Sequence, residues 1–141
     1  MVVEHSVGQF HQGLDWHPEF KTGEFPRLVH VGHALEAHHG YARWTHGEAV
    51  SLGMVAALRI GVARGVTEPA LLPRVLSLLG RLGLPIDLDA EPLVAALPRV
   101  LSDKKREGDR ITYVLVRSVG EPVLERLTLS DIATHLGLPP T

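Results

Sequence analysis

Hydrophobic residues recur every three or four positions along much of the chain, which is the spacing of one face of an α-helix. This pattern predicts helices over residues 28–39, 45–64, 67–80 and 89–101. Thr67 is expected to cap the third of these helices and Asp89 the fourth, in which Pro98 should introduce a kink or a division. Glu48 is expected to serve the N-terminus of the second helix.

The pattern changes in the last quarter of the chain. ITYVLVRS is rich in β-branched and aromatic residues, Gly120-Glu121 supplies a turn, and PVLERLT alternates between apolar and polar positions. Together they predict an antiparallel hairpin. Thr128 and Asp131 have the spacing of a helix-capping box, so a short last helix should follow and end at Gly137.

Composition favours a mainly α fold, a helical array with one small antiparallel β-hairpin near the C-terminus. Apolar residues make up 45% of the 141 residues but aromatic residues only 5%, which is typical of an aliphatic helical core. Residues 1–26 contain several helix-breaking Gly and Pro residues, so we expect an irregular N-terminal arm followed by one helical domain over residues 27–141.

Charge and hydropathy limit the partners of the chain. The net charge is −2 and no long run of one sign occurs, so we expect neither a nucleic-acid partner nor a membrane partner. The first residues lack the pattern of a secretory leader, and the longest apolar stretches carry charges. We therefore expect a cytoplasmic protein.

Five of the nine histidines lie within LVHVGHALEAHHGYARWTHGEAV. His30 and His33 are one helical turn apart, and His46 follows further along the chain. Imidazole is a common zinc ligand, and a chain without cysteine has only His, Asp and Glu for a metal, so the spacing is compatible with zinc. The same spacing suits histidines that only fill a surface or a core. His38 and His39 lie at a helix end, where no function is assigned to them.

Two segments carry a resemblance to a known family. GHALEAHHGYARWTHGEAVSLGM resembles the start of the helical C-terminal domain of 3-dehydroquinate synthases, in which G-H-x-x-G-H-A-x-E-A precedes G-Y and H-G-E-A-V-x-x-G-M. SDKKREGDRITYVLVRSVGEPVL is similar to the later D-K-K segment and hairpin of that family. The resemblance covers about residues 28–136 and implies a sugar phosphate cyclase of the shikimate pathway, a carbon–oxygen lyase that uses zinc and NAD.

The resemblance also implies roles for individual residues. His46 matches a zinc ligand of the family, and His33 matches a histidine that handles protons near the substrate. Lys104 or Lys105 matches a lysine of the D-K-K segment that contacts the substrate.

Other positions depart from the family pattern. The first histidine of the family's pair falls on Val29, and the expected Asn and Arg fall on Pro26 and Thr22. His30 is one position late, about 100° round the helix, so it becomes the second metal ligand beside His46 only if the backbone shifts.

The resemblance implies a further requirement. Family members have an N-terminal α/β domain that binds NAD and supplies a third zinc ligand, and the residues before Leu28 are too few for a βαβ unit. We therefore expect no turnover by this chain alone, and NAD only together with a partner domain.

Three interpretations remain open at this point. The first, which we favour because both a ligand and a domain are missing, is a non-catalytic binding or assembly module whose exposed interdomain face promotes homo-oligomers. The second is the metal- and substrate-binding subunit of a split 3-dehydroquinate synthase with a separate nucleotide-binding subunit. The third is a truncated product without an evolved role.

Overall fold

The computed structural model describes residues 30–102 and 109–139. The α-helices within these ranges are α1 (His30–His38), α2 (His46–Ala63), α3 (Leu71–Arg81), α4 (Leu93–Ala96) and α5 (Leu129–His135). Short 3-10 helices span Leu88–Ala90 and Leu97–Ser102, and the strands are β1 (Arg110–Ser118) and β2 (Glu121–Thr128). The prediction of a mainly α fold with one C-terminal antiparallel hairpin is confirmed.

Several predictions fall on residues that are not described. The irregular arm over residues 1–26 and the substrate-contacting Lys104 and Lys105 lie outside the described residues. The same holds for the positions that depart from the family pattern, which are Thr22, Pro26 and Val29.

Local sequence signals set the starts of α2 and α5. The Thr45 hydroxyl accepts a hydrogen bond from the Glu48 backbone N–H, and the Glu48 carboxylate accepts one from the Thr45 N–H at 2.9 Å. Thr128 and Asp131 form the same reciprocal pair at the start of α5. Both boxes satisfy N–H groups that the first helical turn leaves without partners, which is why the helices begin at these residues.

The predicted boundaries of the third helix are wrong. Thr67 does not cap α3, because its hydroxyl donates instead to the Val116 carbonyl oxygen of β1 at 2.6 Å. The helix follows Ala70, which makes no side-chain cap, and it continues past Gly80 before Gly83 takes the left-handed conformation with φ of 75°. The long-range contact to the hairpin therefore overrides the local capping preference of Thr67.

The predicted start of the fourth helix, with Asp89 as its cap, is also wrong. Asp89 lies inside the 3-10 helix Leu88–Ala90 and makes no cap, and α4 begins only after Pro92. The chain leaves α geometry again at Leu97, next to Pro98, where a division was expected. Each proline lacks the N–H that a continuous helix would use, so the segment folds as three short turns.

The core forms where α1 crosses α2 and the hairpin covers them. Gly32 makes the crossing possible, because a Cβ there would clash with the Ala49 carbonyl oxygen and lie 3.1 Å from the Gly53 Cα. The side chains of β1 that face inward, Ile111, Tyr113 and Leu115, are at most 1% exposed. The strands pair antiparallel with Tyr113 opposite Glu125. Among the described helices, none has the length and apolar character that would let it cross a membrane.

Candidate functional site

A buried carboxylate lies between two of the histidines that the sequence singles out. Glu36 Oε1 is 3.8 Å from His33 Nδ1 and 3.4 Å from His46 Nδ1. The side chain of Glu36 is only 10% exposed, whereas those of His33 and His46 are 41% and 74% exposed. We call these three residues the Glu36 cluster, and its two imidazoles face solvent while its carboxylate does not.

The local fold explains why these residues meet. His33 and Glu36 are three residues apart on α1, so they share one face of that helix. His46 is the first residue of α2, and the close crossing at Gly32 brings that first turn against α1. Gly40 and Tyr41, both with positive φ, reverse the chain between the two helices. The cluster is therefore a product of one tight helix–loop–helix unit.

Glu48 stands near His46 in sequence but has another role. Its carboxylate closes the capping box with Thr45, which confirms the predicted role of Glu48 at the N-terminus of α2. The backbone hydrogen bond from Thr45 lowers the pKa of Glu48, and the hydrogen bond with the Thr45 side chain lowers it further. The ionised carboxylate therefore belongs to the N-terminus of α2.

His30 occupies a different environment. The residue is 4% exposed, its Nε2 lies 3.0 Å from the Thr112 carbonyl oxygen, and its ring centroid is 5.1 Å from that of Tyr113. Because a carbonyl oxygen only accepts, Nε2 is the donor in this hydrogen bond and does not offer a lone pair to a metal. The pairing of His30 with His46 as metal ligands stays a prediction, and the contact to the hairpin is a structural role that the sequence did not indicate.

The described residues do not complete a zinc site. A catalytic zinc takes three protein ligands and keeps one open position. In residues 30–102 and 109–139, no three side chains of His, Asp or Glu are arranged to hold a metal ion. His46 is exposed enough to be one ligand, but the others would have to come from elsewhere.

A second buried carboxylate was not identified from the sequence. Glu91 Oε1 accepts a hydrogen bond from Trp44 Nε1 at 2.7 Å and lies 3.3 Å from His39 Nε2. The partners are 47 and 52 residues away along the chain, so no local pattern could reveal the contact. Glu36 was also missed, although its spacing of three from His33 and its place in G-H-A-x-E-A were available signals.

A further concave feature of the described part is an apolar groove of about 550 Å³ between α2, α3 and the hairpin. We call it the apolar groove. Its walls include Val50, Met54, Leu58, Leu71, Val75, Val114, Val116 and Val119.

Comparisons with known proteins place the chain in a family. The model of the 3-dehydroquinate synthase C-terminal family matches residues 30–106. The 3-dehydroquinate synthase of Pelobacter propionicus is 39% identical over 111 residues, which cover 77% of this chain and 30% of the relative. Those of Thermoanaerobacter pseudethanolicus and Halorhodospira halophila are 40% and 41% identical and cover 64% and 66% of this chain. The chain spans only 26% to 30% of the length of these relatives. It belongs to the 3-dehydroquinate synthase C-terminal family.

Proposed function

We propose that this chain supplies the helical, metal- and substrate-binding part of a 3-dehydroquinate synthase site, and that turnover requires an α/β part that binds NAD. The contact of Glu36 with both His33 and His46 carries the proposal. Burying a carboxylate costs free energy unless polar partners compensate, so an arrangement of this kind is more expected in a working site than in an inert helix pair. It favours this function over the non-catalytic module that the sequence pattern alone favoured.

The geometry supports distinct roles for the two histidines. When Glu36 is ionised, its carboxylate favours the tautomer of His46 that carries a proton on Nδ1, which leaves the Nε2 lone pair for a metal. A carboxylate behind a metal-binding imidazole is a recurrent arrangement in proteins. His33 faces the same carboxylate from α1, which suits an imidazole that exchanges a proton with a substrate.

Zinc and NAD belong to this proposal only together with an α/β part, which would bind NAD and supply the remaining ligands of zinc. The described residues supply His46 as one ligand and do not fill a coordination shell, so no chemical step is routed through the metal. The lysines of the D-K-K segment, Lys104 and Lys105, stay predicted substrate contacts, and a cytoplasmic location stays a prediction.

The experiment tests whether the chain supports turnover when it is mixed with an NAD-binding part. The purified 141-residue chain is assayed for phosphate release from the sugar phosphate substrate of the family, alone and after mixing with the NAD-binding part of the Pelobacter propionicus relative. We expect no release by either protein alone and release by the mixture. His33→Ala or His46→Ala should abolish it, whereas His135→Ala on α5 should not. A mixture that forms a complex but releases no phosphate would count against the proposal.

The second candidate is a non-catalytic assembly module that forms homo-oligomers. The apolar groove favours it, because Met54 and Val119 in its walls are 39% and 70% exposed, and apolar surfaces of this kind are commonly covered by another chain. Analytical ultracentrifugation of the chain and of Met54→Glu distinguishes the candidates. A dimer that the substitution dissociates, together with no phosphate release in any mixture, would favour the module.

A further inference from the structure

Glu91 joins the two ends of the loop between α1 and α2. Its side chain is 4% exposed, and it contacts His39, just after α1, and Trp44, just before α2. We call Glu91, His39 and Trp44 the Glu91 clasp. Since Glu91 itself lies between the 3-10 helix Leu88–Ala90 and Pro92, the clasp fastens the loop to a separate part of the chain.

Backbone hydrogen bonds from Gly40, Tyr41 and Ala42 tie the first half of the loop to the end of α1, and the second half has fewer contacts. Residues 40–43 and Thr45 are exposed, and only Trp44 is partly buried against the core. Tyr41 has a positive φ of 63° and is 62% exposed, so its side chain contributes little packing. The guanidinium of Arg43 lies 4.6 Å from the centre of the Trp44 ring, so one face of the indole is covered by an exposed cation rather than by core. The hydrogen bond from the indole to a buried carboxylate is therefore a principal anchor of the loop.

This anchor lies next to the Glu36 cluster in the chain. Trp44 is two residues before His46, and Thr45 between them caps α2. The imidazole of His46 is 74% exposed and so is not fixed by burial. Its distance from Glu36 therefore depends on where the backbone of the first turn of α2 lies, and that turn follows directly from the clasp.

We propose that Glu91 is a positioning residue: by holding Trp44 and His39 it fixes the start of α2 and thereby places His46 against Glu36. The inference rests on the proposed function only in treating His46 as a site residue. Because Glu91 contacts Trp44 and His39, it acts on His46 through the backbone.

The first measurement is amide hydrogen exchange on the full chain, followed by mass spectrometry. Glu91→Ala should accelerate exchange over residues 39–48 by about tenfold and leave residues 55–63 of α2 unchanged. Glu91→Gln keeps an oxygen that accepts from the Trp44 N–H, so it should exchange like the original protein. Trp44→Phe keeps an aromatic ring but lacks the N–H, so it should reproduce the larger part of the effect of Glu91→Ala, and the double variant should exchange like Glu91→Ala. Glu68→Ala, at an exposed acidic residue, is the control.

The second measurement is zinc binding to the same variants, each mixed with the NAD-binding part of the Pelobacter propionicus relative, with a competing chromophoric chelator. Glu91→Ala should weaken binding by roughly tenfold relative to the original protein, with recovery in Glu91→Gln. If the mixture with the original protein binds no zinc while the exchange pattern appears as expected, the proposed function fails and the positioning role of Glu91 stands.

Three results would overturn the inference itself. One is exchange in Glu91→Ala that is unchanged over residues 39–48. Another is acceleration that is equal over the whole chain, because that would mean a loss of global stability only. The third is a Glu91→Gln variant that behaves like Glu91→Ala, because the hydrogen bond from Trp44 would then not be the connection.

Discussion

Glu36 Oε1 lies 3.4 Å from Nδ1 of His46, although the two residues belong to different helices and are ten positions apart in the chain. His33 approaches the same oxygen from the other side, at 3.8 Å. A single carboxylate thus links the two histidines that match the family pattern. This relationship makes Glu36 the residue whose replacement tests the site most directly.

Replacement of Glu36 should weaken metal binding without removing any histidine. Glu36→Ala removes the group that favours the Nδ1–H tautomer of His46, so zinc affinity should fall by roughly ten- to a hundredfold. Glu36→Gln keeps an oxygen but loses the charge, so its zinc affinity should lie between those of Glu36→Ala and the original protein. Isothermal titration with zinc of each variant mixed with the NAD-binding part of the Pelobacter propionicus relative measures the affinities, with Glu68→Gln as the control at an exposed carboxylate. Equal affinities of Glu36→Ala and the original protein would contradict the role of Glu36.

Gly32 should be intolerant of even one added methyl group. A Cβ at this position clashes with the Ala49 carbonyl oxygen, and backbone cannot move aside as a flexible side chain can. Gly32→Ala should therefore lower the free energy of unfolding by about 1–3 kcal/mol. Urea denaturation measures the change.

Gly47 provides the matched control for this substitution. A Cβ there has no neighbour within 4 Å, and the residue lies in the first turn of α2. Gly47→Ala should leave stability unchanged or raise it by about 0.5–1 kcal/mol through helix propensity. Similar losses in the two variants would mean that the α1–α2 crossing is looser than the structure indicates.

The sequence predicts those parts of the fold that depend on neighbours in the chain. The role of Glu48 at the N-terminus of α2, the capping pair Thr128–Asp131 and the alternation of the hairpin are local signals, and all of them are confirmed. Thr67 shows the limit, because an equally good local cap is lost to a carbonyl of β1 that lies 49 residues away. A local pattern cannot reveal a competing long-range partner.

The site divides in the same way. His33 and His46 are recognisable from motif spacing, but what surrounds them is not. Glu36 was within reach of a helical-face argument, since it is three residues from His33. Glu91 was not, because its contacts with Trp44 and His39 arise only when the segment after α3 folds back onto the α1–α2 loop.

The capping box of α5 should make stability depend on acid. The backbone hydrogen bond from Thr128 lowers the pKa of Asp131 below its usual value of 3.8, against a smaller opposing effect of burial, with help from the Thr128 hydroxyl and from Arg64 and Arg110. A lowered folded-state pKa means that this stabilisation is complete above pH 3.8 and is lost as the pH falls through the lower folded value. Thr128→Ala should cost about 1 kcal/mol at pH 7.

Asp131→Asn isolates the acid-dependent part. This variant should be less stable at pH 7, and its stability should fall less steeply than that of the original protein between about pH 4 and pH 2. Thermal denaturation across that range measures both slopes. Parallel slopes would show that the other carboxylates, and not Asp131, account for the loss in acid.

The hydroxyl of Tyr113 should lower the free energy of unfolding. The side chain is fully buried on β1, and its Oη has no hydrogen-bond partner in the described structure. Burial raises the pKa of the phenol well above its usual value of 10.0; the backbone of Val31 opposes this only in part and does not meet the geometry of a hydrogen bond. A buried hydroxyl without a partner loses its hydration and gains nothing in return.

Removal of that hydroxyl alone should therefore stabilise the protein. Tyr113→Phe preserves the ring that packs 5.1 Å from His30, so the expected change is a gain of up to about 1 kcal/mol in the free energy of unfolding, measured with urea. Tyr113→Leu is the comparison, because it removes the ring and should cost about 2 kcal/mol or more through the space that it leaves. A loss of 1 kcal/mol or more in Tyr113→Phe would mean that the hydroxyl has a partner in solution, because only a broken hydrogen bond would make this change unfavourable.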